Sequence, residues 1–96
     1  MKHIADVSFK NNKFVLSGIL NFSTVMKVYN SCIENLSKYS ASEFDFSQVE
    51  SCNSAGLALV IELKKYGRQV NKAVSISHLP EDLKSLAEVS GLSHLI

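Results

Sequence analysis

The strongest constraint on the fold is a change in the spacing of apolar residues along the chain. In residues 25–36 and 57–66 they recur three and four positions apart, so each segment has one apolar helical face. A short apolar run at residues 44–46 separates these two helices and reads as a central strand. Helices that alternate with strands favour an α/β domain with parallel neighbouring strands.

The remaining segments extend the same alternation. Residues 5–10 and 13–17 predict an N-terminal hairpin with a turn at residues 11–12, which Gly18 closes. Ser23 or Thr24 is expected to cap the first helix, and residues 73–77 predict a further strand. Pro80 is expected in the first turn of a third helix that Gly91 ends. The order β-β-α-β-α-β-α predicts one domain over residues 1–96, with helices packed against a mixed sheet.

Composition excludes some classes of function. Ten Lys and Arg against nine Asp and Glu give a net charge of +1, which lacks the basic field of a nucleic-acid binder. No apolar run approaches the roughly 20 residues that span a bilayer. The first six residues lack the apolar core of a signal peptide, so we expect a cytoplasmic protein without a membrane span.

The sequence offers no arrangement that predicts catalysis. His3, His78 and His94 are scattered without metal-ligand spacing, and no Gly-rich phosphate loop is present. Cys32 lies on the apolar face of the first predicted helix, and Cys52 lies just before a predicted turn. Without CxxC or Cys/His spacing, both cysteines are interpreted as packing residues. We therefore expect a non-enzymatic protein with no metal site and no cofactor.

Four segments resemble the STAS domain family, and they follow one another in the same order as in that family. Residues 44–49 read Phe-Asp-Phe-Ser-Gln-Val, and residues 53–59 read Asn-Ser-Ala-Gly-Leu-Ala-Leu, similar to the family's central strand and the start of its next helix. Residues 18–21 resemble the segment before the family's first helix, and residues 83–92 resemble its closing helix. The resemblance spans nearly the whole chain and implies a STAS-like α/β fold.

Within this family, the chain is similar to the STAS subunits of Mla phospholipid ABC transporters. The resemblance implies binding to the transporter's cytoplasmic ATPase, and through it to the permease, at the inner membrane. It also implies a part in outer-membrane lipid asymmetry. The alternative is an anti-sigma factor antagonist that binds a kinase and is phosphorylated on the serine matching Ser54. Small-ligand sensing is a third option, which no sequence feature favours.

Ser54 has two compatible interpretations. It matches the family's Ser/Thr position at a helix start, where backbone N–H groups and the helix dipole favour a phosphate. It is also a candidate helix cap, as is Asn53. Asn53 stands where the family usually has Asp, which removes a negative charge and makes recognition by an anti-sigma kinase less favoured.

The helical wheel of the second helix indicates a contact surface. Leu59, Val60, Leu63, Tyr66 and Val70 share the side expected to lie on the sheet. Leu57 and Ile61 fall at the edge of that side, next to Lys64 and Arg68. Leu57 is interpreted mainly as core, whereas Ile61 is expected to be partly exposed. The predicted partner-binding residues are Asn53, Ser54, Ala55, Gly56, Leu57, Ala58, Ile61, Lys64 and Lys65, with Ser54 the candidate phosphoacceptor.

Overall fold

A computed structural model describes residues 5–96. His3 and the other residues of the segment 1–4, which belong to the N-terminal segment considered as a signal peptide, lie outside the described residues. The described chain forms four strands, three α-helices and a terminal 3₁₀ turn. The elements are β1 (Asp6–Lys10), β2 (Lys13–Leu20), α1 (Val25–Lys38), β3 (Glu43–Cys52), α2 (Ser54–Gln69), β4 (Ser75–Ser77), α3 (Glu81–Val89) and the 3₁₀ turn Ser93–Leu95. The predicted element order is confirmed, and the 3₁₀ turn is an addition.

The sheet is mixed, as the sequence predicts. Its strand order is β1-β2-β3-β4, with β1 and β2 antiparallel and the β2–β3 and β3–β4 pairs parallel. Asn11 and Asn12 both have positive φ, 50° and 61°, in the two-residue turn that joins β1 to β2. Such a turn matches the twist of the strands that it connects, and Asn tolerates positive φ well.

One hydrophobic core lies between the sheet and the three helices. From the sheet it takes Phe14, Leu16, Phe44 and Phe46, each no more than 1% exposed. The helices contribute Val28, Cys32 and Leu36 from α1, Leu59, Val60 and Leu63 from α2, and Leu83 and Ala87 from α3. The opposite face of the sheet carries polar residues such as Ser8, Lys13 and Ser47 around an open cavity. The architecture is thus two-layered, with helices on one side.

The two central strands are longer than the sequence predicts. The strand predicted at residues 44–46 extends to Cys52, and β2 runs past Gly18 to Leu20. Gly18 has φ 88° and lies at a register shift between the strands, so it forms a bulge and does not end β2. The prediction that Gly18 closes the hairpin is therefore wrong. In contrast, β4 is shorter than predicted and begins at Ser75.

Several predicted helix boundaries are also corrected. Thr24 is the N-cap residue of α1 but makes no side-chain cap, because its hydroxyl donates to the Ile19 carbonyl at 2.8 Å. Asn21 Oδ1 instead accepts from the Ser23 and Thr24 backbone N–H groups. Pro80 is the N-cap residue of α3, one position before its first turn. Gly91, with φ 72°, follows the C-cap of α3, as predicted.

Gly67, where the sequence predicts that the second helix weakens and ends, does not end α2. Gly67 lies inside the helix, which continues to Gln69. Its missing side chain lets the chain return close by, since a Cβ there would lie 2.7 Å from the Lys72 carbonyl oxygen. Val70 is 40% exposed, so its predicted position on the sheet is wrong: α2 has ended and the chain turns away at this residue.

Candidate functional site

The first turn of α2 lies at the end of the sheet where the two central strands finish. β2 and β3 are parallel, and Leu20 pairs with Cys52 at their carboxyl ends. The Asn53 backbone N–H donates to the Leu20 carbonyl at 3.2 Å, which fixes the start of α2 beside the end of β2. The segment that leads into α1 starts from the same edge. The first turns of α1 and α2 are therefore neighbours at this end of the molecule.

Asn53 is the residue that caps α2. Its Oδ1 accepts from the Ala55 backbone N–H at 2.8 Å, and its carbonyl accepts from the Gly56 N–H at 2.9 Å. Such a side-chain cap satisfies one of the N–H groups left without a partner at a helix start. Of the two caps considered from the sequence, the structure selects Asn53.

Ser54 is exposed, and its hydroxyl makes no hydrogen bond within the described chain. The cap interpretation thus does not account for this side chain. The hydroxyl lies at the positive end of the α2 dipole, where an acceptor group or a phosphate of a bound molecule would be favoured. Its exposure is what a contact residue requires.

The next three residues of the predicted contact set are buried. Ala55 is 1% exposed and Leu57 5% exposed, and Gly56 is also buried. A Cβ on Gly56 would lie 3.1 Å from Cys52 Cβ and 3.4 Å from Leu83 Cδ1, so this turn packs tightly on β3 and α3. The Ala55 and Leu57 side chains hold α2 in place, and Leu57 also lines a groove between α2 and α3. The partner-binding role expected of these three residues stays a prediction.

Ala58 forms the ridge between two shallow apolar grooves. One groove, of about 240 Å³, lies between α1 and α2 and is lined by Val25, Met26, Tyr29, Ala58, Leu59 and Glu62. The other, of about 260 Å³, lies between α2 and α3 and is lined by Ser54, Leu57, Ala58, Ile61, Leu86, Ser90 and Leu92. Ala58 itself is exposed. Because its side chain is a single methyl group, an approaching partner can enter both grooves at once.

Ile61 is half-buried: it packs against the core and also lines the second groove. This placement agrees with the partial exposure expected from the helical wheel. Lys65 is exposed and pairs with Glu62 at 3.6 Å on the outer surface of α2. Lys64 is separate from this surface, because its ammonium group donates to the Ile96 carbonyl at 3.3 Å and borders another cavity beside His78 and Lys84.

Two exposed apolar residues near the start of α1 were not predicted, and one of them, Met26, lines the first groove. Phe22 is 72% exposed in the turn before α1, and Met26 is 63% exposed in the first turn of that helix. Large apolar side chains exposed beside an apolar groove are typical of protein-contact surfaces. The available signal was the position of Met26 off the apolar face of α1. We define the α2 contact surface as Ser54, Ala58, Ile61, Lys65 and Met26.

The Asp in the central strand belongs to the other face of the sheet. Asp45 is only 3% exposed, and its carboxylate contacts the Lys13 ammonium at 2.6 Å, the Ser47 backbone N–H at 2.8 Å and His78 Nδ1 at 3.1 Å. Burial opposes its ionisation, but the hydrogen bonds from Lys13 and Ser47 outweigh burial and hold the pKa of Asp45 well below its usual range. This cluster stabilises the strand that leads to the site.

The described residues show little reactive chemistry near α2. Burial raises the pKa of the Cys32 thiol to about 12, and burial together with Asp82 raises that of Cys52. Both cysteines are free, and a thiol with a raised pKa is a poor nucleophile. Within residues 5–96, no group of three or more His, Cys, Asp or Glu side chains is arranged to hold a metal ion. No helix in that range is long and apolar enough to cross a membrane.

Comparison with known proteins identifies the family. A family model described as "Mlab, STAS domain" matches residues 5–96. The solved structure of the anti-sigma factor antagonist SpoIIAA in its unphosphorylated form is similar in fold, with a TM-score of 0.66 and 14% sequence identity over 95% of this chain and 84% of that chain. No curated protein sequence matches. The family and fold expected from the sequence are confirmed: this chain belongs to the STAS domain family.

Proposed function

We propose that this STAS domain is a non-enzymatic, single-domain subunit that binds and supports the cytoplasmic ATPase of an Mla-type phospholipid ABC transporter. The description of the matching family model supports this assignment. In this role the protein lies in the cytoplasm and is associated with the inner membrane through the ATPase and the permease. The complex maintains the lipid asymmetry of the outer membrane.

The exposed ridge at Ala58, between its two apolar grooves, is the observation that carries this proposal. An apolar centre with a charged rim is the usual composition of a specific protein interface. Here Ala58, Ile61 and Met26 form the centre, and Lys65 with Glu62 lies on the rim. Ser54 adds a hydroxyl group without an internal hydrogen bond. The ATPase is expected to place side chains in both grooves and a hydrogen-bonding group at Ser54.

Ala58→Arg tests this surface with little risk to the fold. Ala58 is exposed, and Arg is also a good helix former, so the substitution should leave α2 intact. The long side chain would obstruct both grooves. We expect binding to the Mla-type ATPase of the same organism to weaken by at least ~10-fold, as at other interface centres. Calorimetric titration of the purified ATPase measures the affinity.

Ser85→Arg is the matched control. It adds the same charge at an exposed position of α3 that lines neither groove. The control should bind like the wild type, and circular dichroism should show that both variants are folded. Equal affinity of Ala58→Arg and wild type would exclude the α2 contact surface from the interface. Failure of the wild-type protein to bind the ATPase would refute the proposed function itself.

The second candidate function is that of an anti-sigma factor antagonist controlled by phosphorylation of Ser54. The likeness to the SpoIIAA fold and the exposed hydroxyl at the start of α2 favour it. A phosphate there would add roughly −1.5 to −2 charges to the contact surface, enough to release a partner. Asn53 stands against it, as the family's usual Asp is missing. Phosphate on Ser54 in protein purified from its own cells, with a kinase and a sigma factor encoded nearby, would favour this function over the transporter.

A further inference from the structure

Strand β1 forms one edge of the described sheet. β1 is the terminal strand, and no described strand pairs with its outer side. The two-residue turn after Lys10 closes on a hydrogen-bonded pair, Lys10 with Lys13. Because backbone groups alternate along a strand, those of Lys10, Ser8 and Asp6 face β2. The N–H and C=O groups of Val7 and Phe9 therefore face outward, available to another strand.

The side chains of β1 are self-complementary around Ser8. In an antiparallel pair of identical strands centred there, Val7 lies opposite Phe9 of the second copy and exchanges both backbone hydrogen bonds with it. Asp6 then lies opposite Lys10 of the second copy, and the reverse pair forms by symmetry. Shifting the register by two residues in either direction keeps Val7 and Phe9 hydrogen-bonded but separates the opposite charges. Charge complementarity thus selects one register.

The residues at this edge are suited to such a contact. Asp6 and Lys10 are exposed, and neither has an ion pair within the described chain. On the helix side, Phe9 stacks on Tyr39 with ring centroids 4.0 Å apart, and Tyr39 remains 39% exposed. Pairing would place Val7 of the second copy beside this aromatic pair. Charged residues usually protect a sheet edge from pairing, but here their order attracts an identical strand.

We propose that this chain forms a symmetric homodimer in which β1 pairs antiparallel with β1 of a second copy, centred on Ser8. The two four-stranded sheets then form one continuous sheet. No residue of the α2 contact surface lies on β1, so each copy keeps that surface for its partner. The dimer does not depend on the proposed ATPase contact.

Charge reversal tests the register directly. Sedimentation velocity over a concentration series should show the wild type in monomer–dimer equilibrium, which weakens as salt is added. Asp6→Lys gives each copy two positive charges at the edge, and Lys10→Asp gives each two negative charges. Both variants should self-associate more weakly by on the order of tenfold, since two attractive cross-strand pairs become repulsive.

Two further samples separate pairing from a loss of folding. An equimolar mixture of Asp6→Lys and Lys10→Asp should associate, because every cross-strand pair is again of opposite sign, and the double variant should also recover association. Glu34→Lys, an equal charge change at an exposed position of α1, should behave as the wild type. A wild type that is monomeric at every soluble concentration would overturn the proposal. So would folded single variants that fail to associate on mixing, or a Glu34→Lys variant that dissociates as strongly as they do.

Discussion

The division of roles between Asn53 and Ser54 leads to a sharp prediction for two adjacent alanine substitutions. Asn53→Ala removes the 2.8 Å hydrogen bond to the Ala55 N–H and leaves that donor to water. Loss of such a cap typically costs about 1 kcal/mol of unfolding free energy. Ser54→Ala removes a hydroxyl with no internal hydrogen bond, so its effect should stay within about 0.5 kcal/mol.

The size of this difference is measurable in a chain this small. A loss of 1 kcal/mol lowers the melting temperature by roughly 4–8 °C in a domain of 60–100 residues. Thermal and urea unfolding followed by circular dichroism should therefore separate the two variants clearly. Asn53→Asp should retain wild-type stability or exceed it, because its carboxylate still caps and interacts favourably with the helix dipole.

For affinity to the ATPase, substitutions of Ser54 should have a larger effect than Asn53→Ala. Ser54→Asp places a negative charge on the α2 contact surface and should weaken binding to the ATPase, whereas Asn53→Ala should affect mainly stability. If Ser54→Ala destabilised the protein as much as Asn53→Ala, the serine hydroxyl would be contributing to the cap. The division of roles, and with it the argument that Ser54 is available to a partner, would then fail.

Two further predictions concern the support of the site. Gly67→Ala should destabilise the protein by about 1–2 kcal/mol in urea unfolding, because crowding against Val74 and the Lys72 carbonyl exceeds the gain in helix propensity; unchanged or greater stability would show that this contact yields easily. Asp45→Asn should cost about 1–3 kcal/mol at neutral pH, since the charge facing Lys13 is lost. The depressed pKa of Asp45 stabilises the folded state above about pH 4, and this contribution is lost as the pH falls from there through the folded-state pKa. The unfolding free energy of Asp45→Asn should therefore change less with pH below about pH 4 than that of the wild type. An equally steep loss of stability with acid in both proteins would contradict this explanation.

The order and type of the elements were predictable because apolar spacing reports directly on which face of an element is buried. The stripe of α1 is the example: Val28, Cys32 and Leu36 are all in the core. The ends of the strands were harder to predict from the sequence. Gly18 has the composition of a turn residue, yet the parallel pairing with β3 continues past it through a bulge. That pairing is a long-range interaction, which local residue types do not encode.

The candidate site was predictable in position but not in extent. The helical wheel predicted the half-buried position of Ile61, because one helix determines which of its own residues share a face. It could not show that Gly56 packs against β3 and α3, or that Met26 lines a groove beside Ala58. Those facts depend on how neighbouring elements meet. Exposed apolar residues are also common singly, so Met26 alone carried little signal.

The backbone hydrogen bond from Asn53 to Leu20 has a kinetic consequence. It fixes the start of α2 to the end of β2, and the cap on Ala55 fixes its first turn, so the surface is already ordered before a partner arrives. Binding to a preorganised surface loses little conformational entropy. Uncharged substitutions on the α2 contact surface should therefore leave the association rate nearly constant and shorten the lifetime of the complex through faster dissociation.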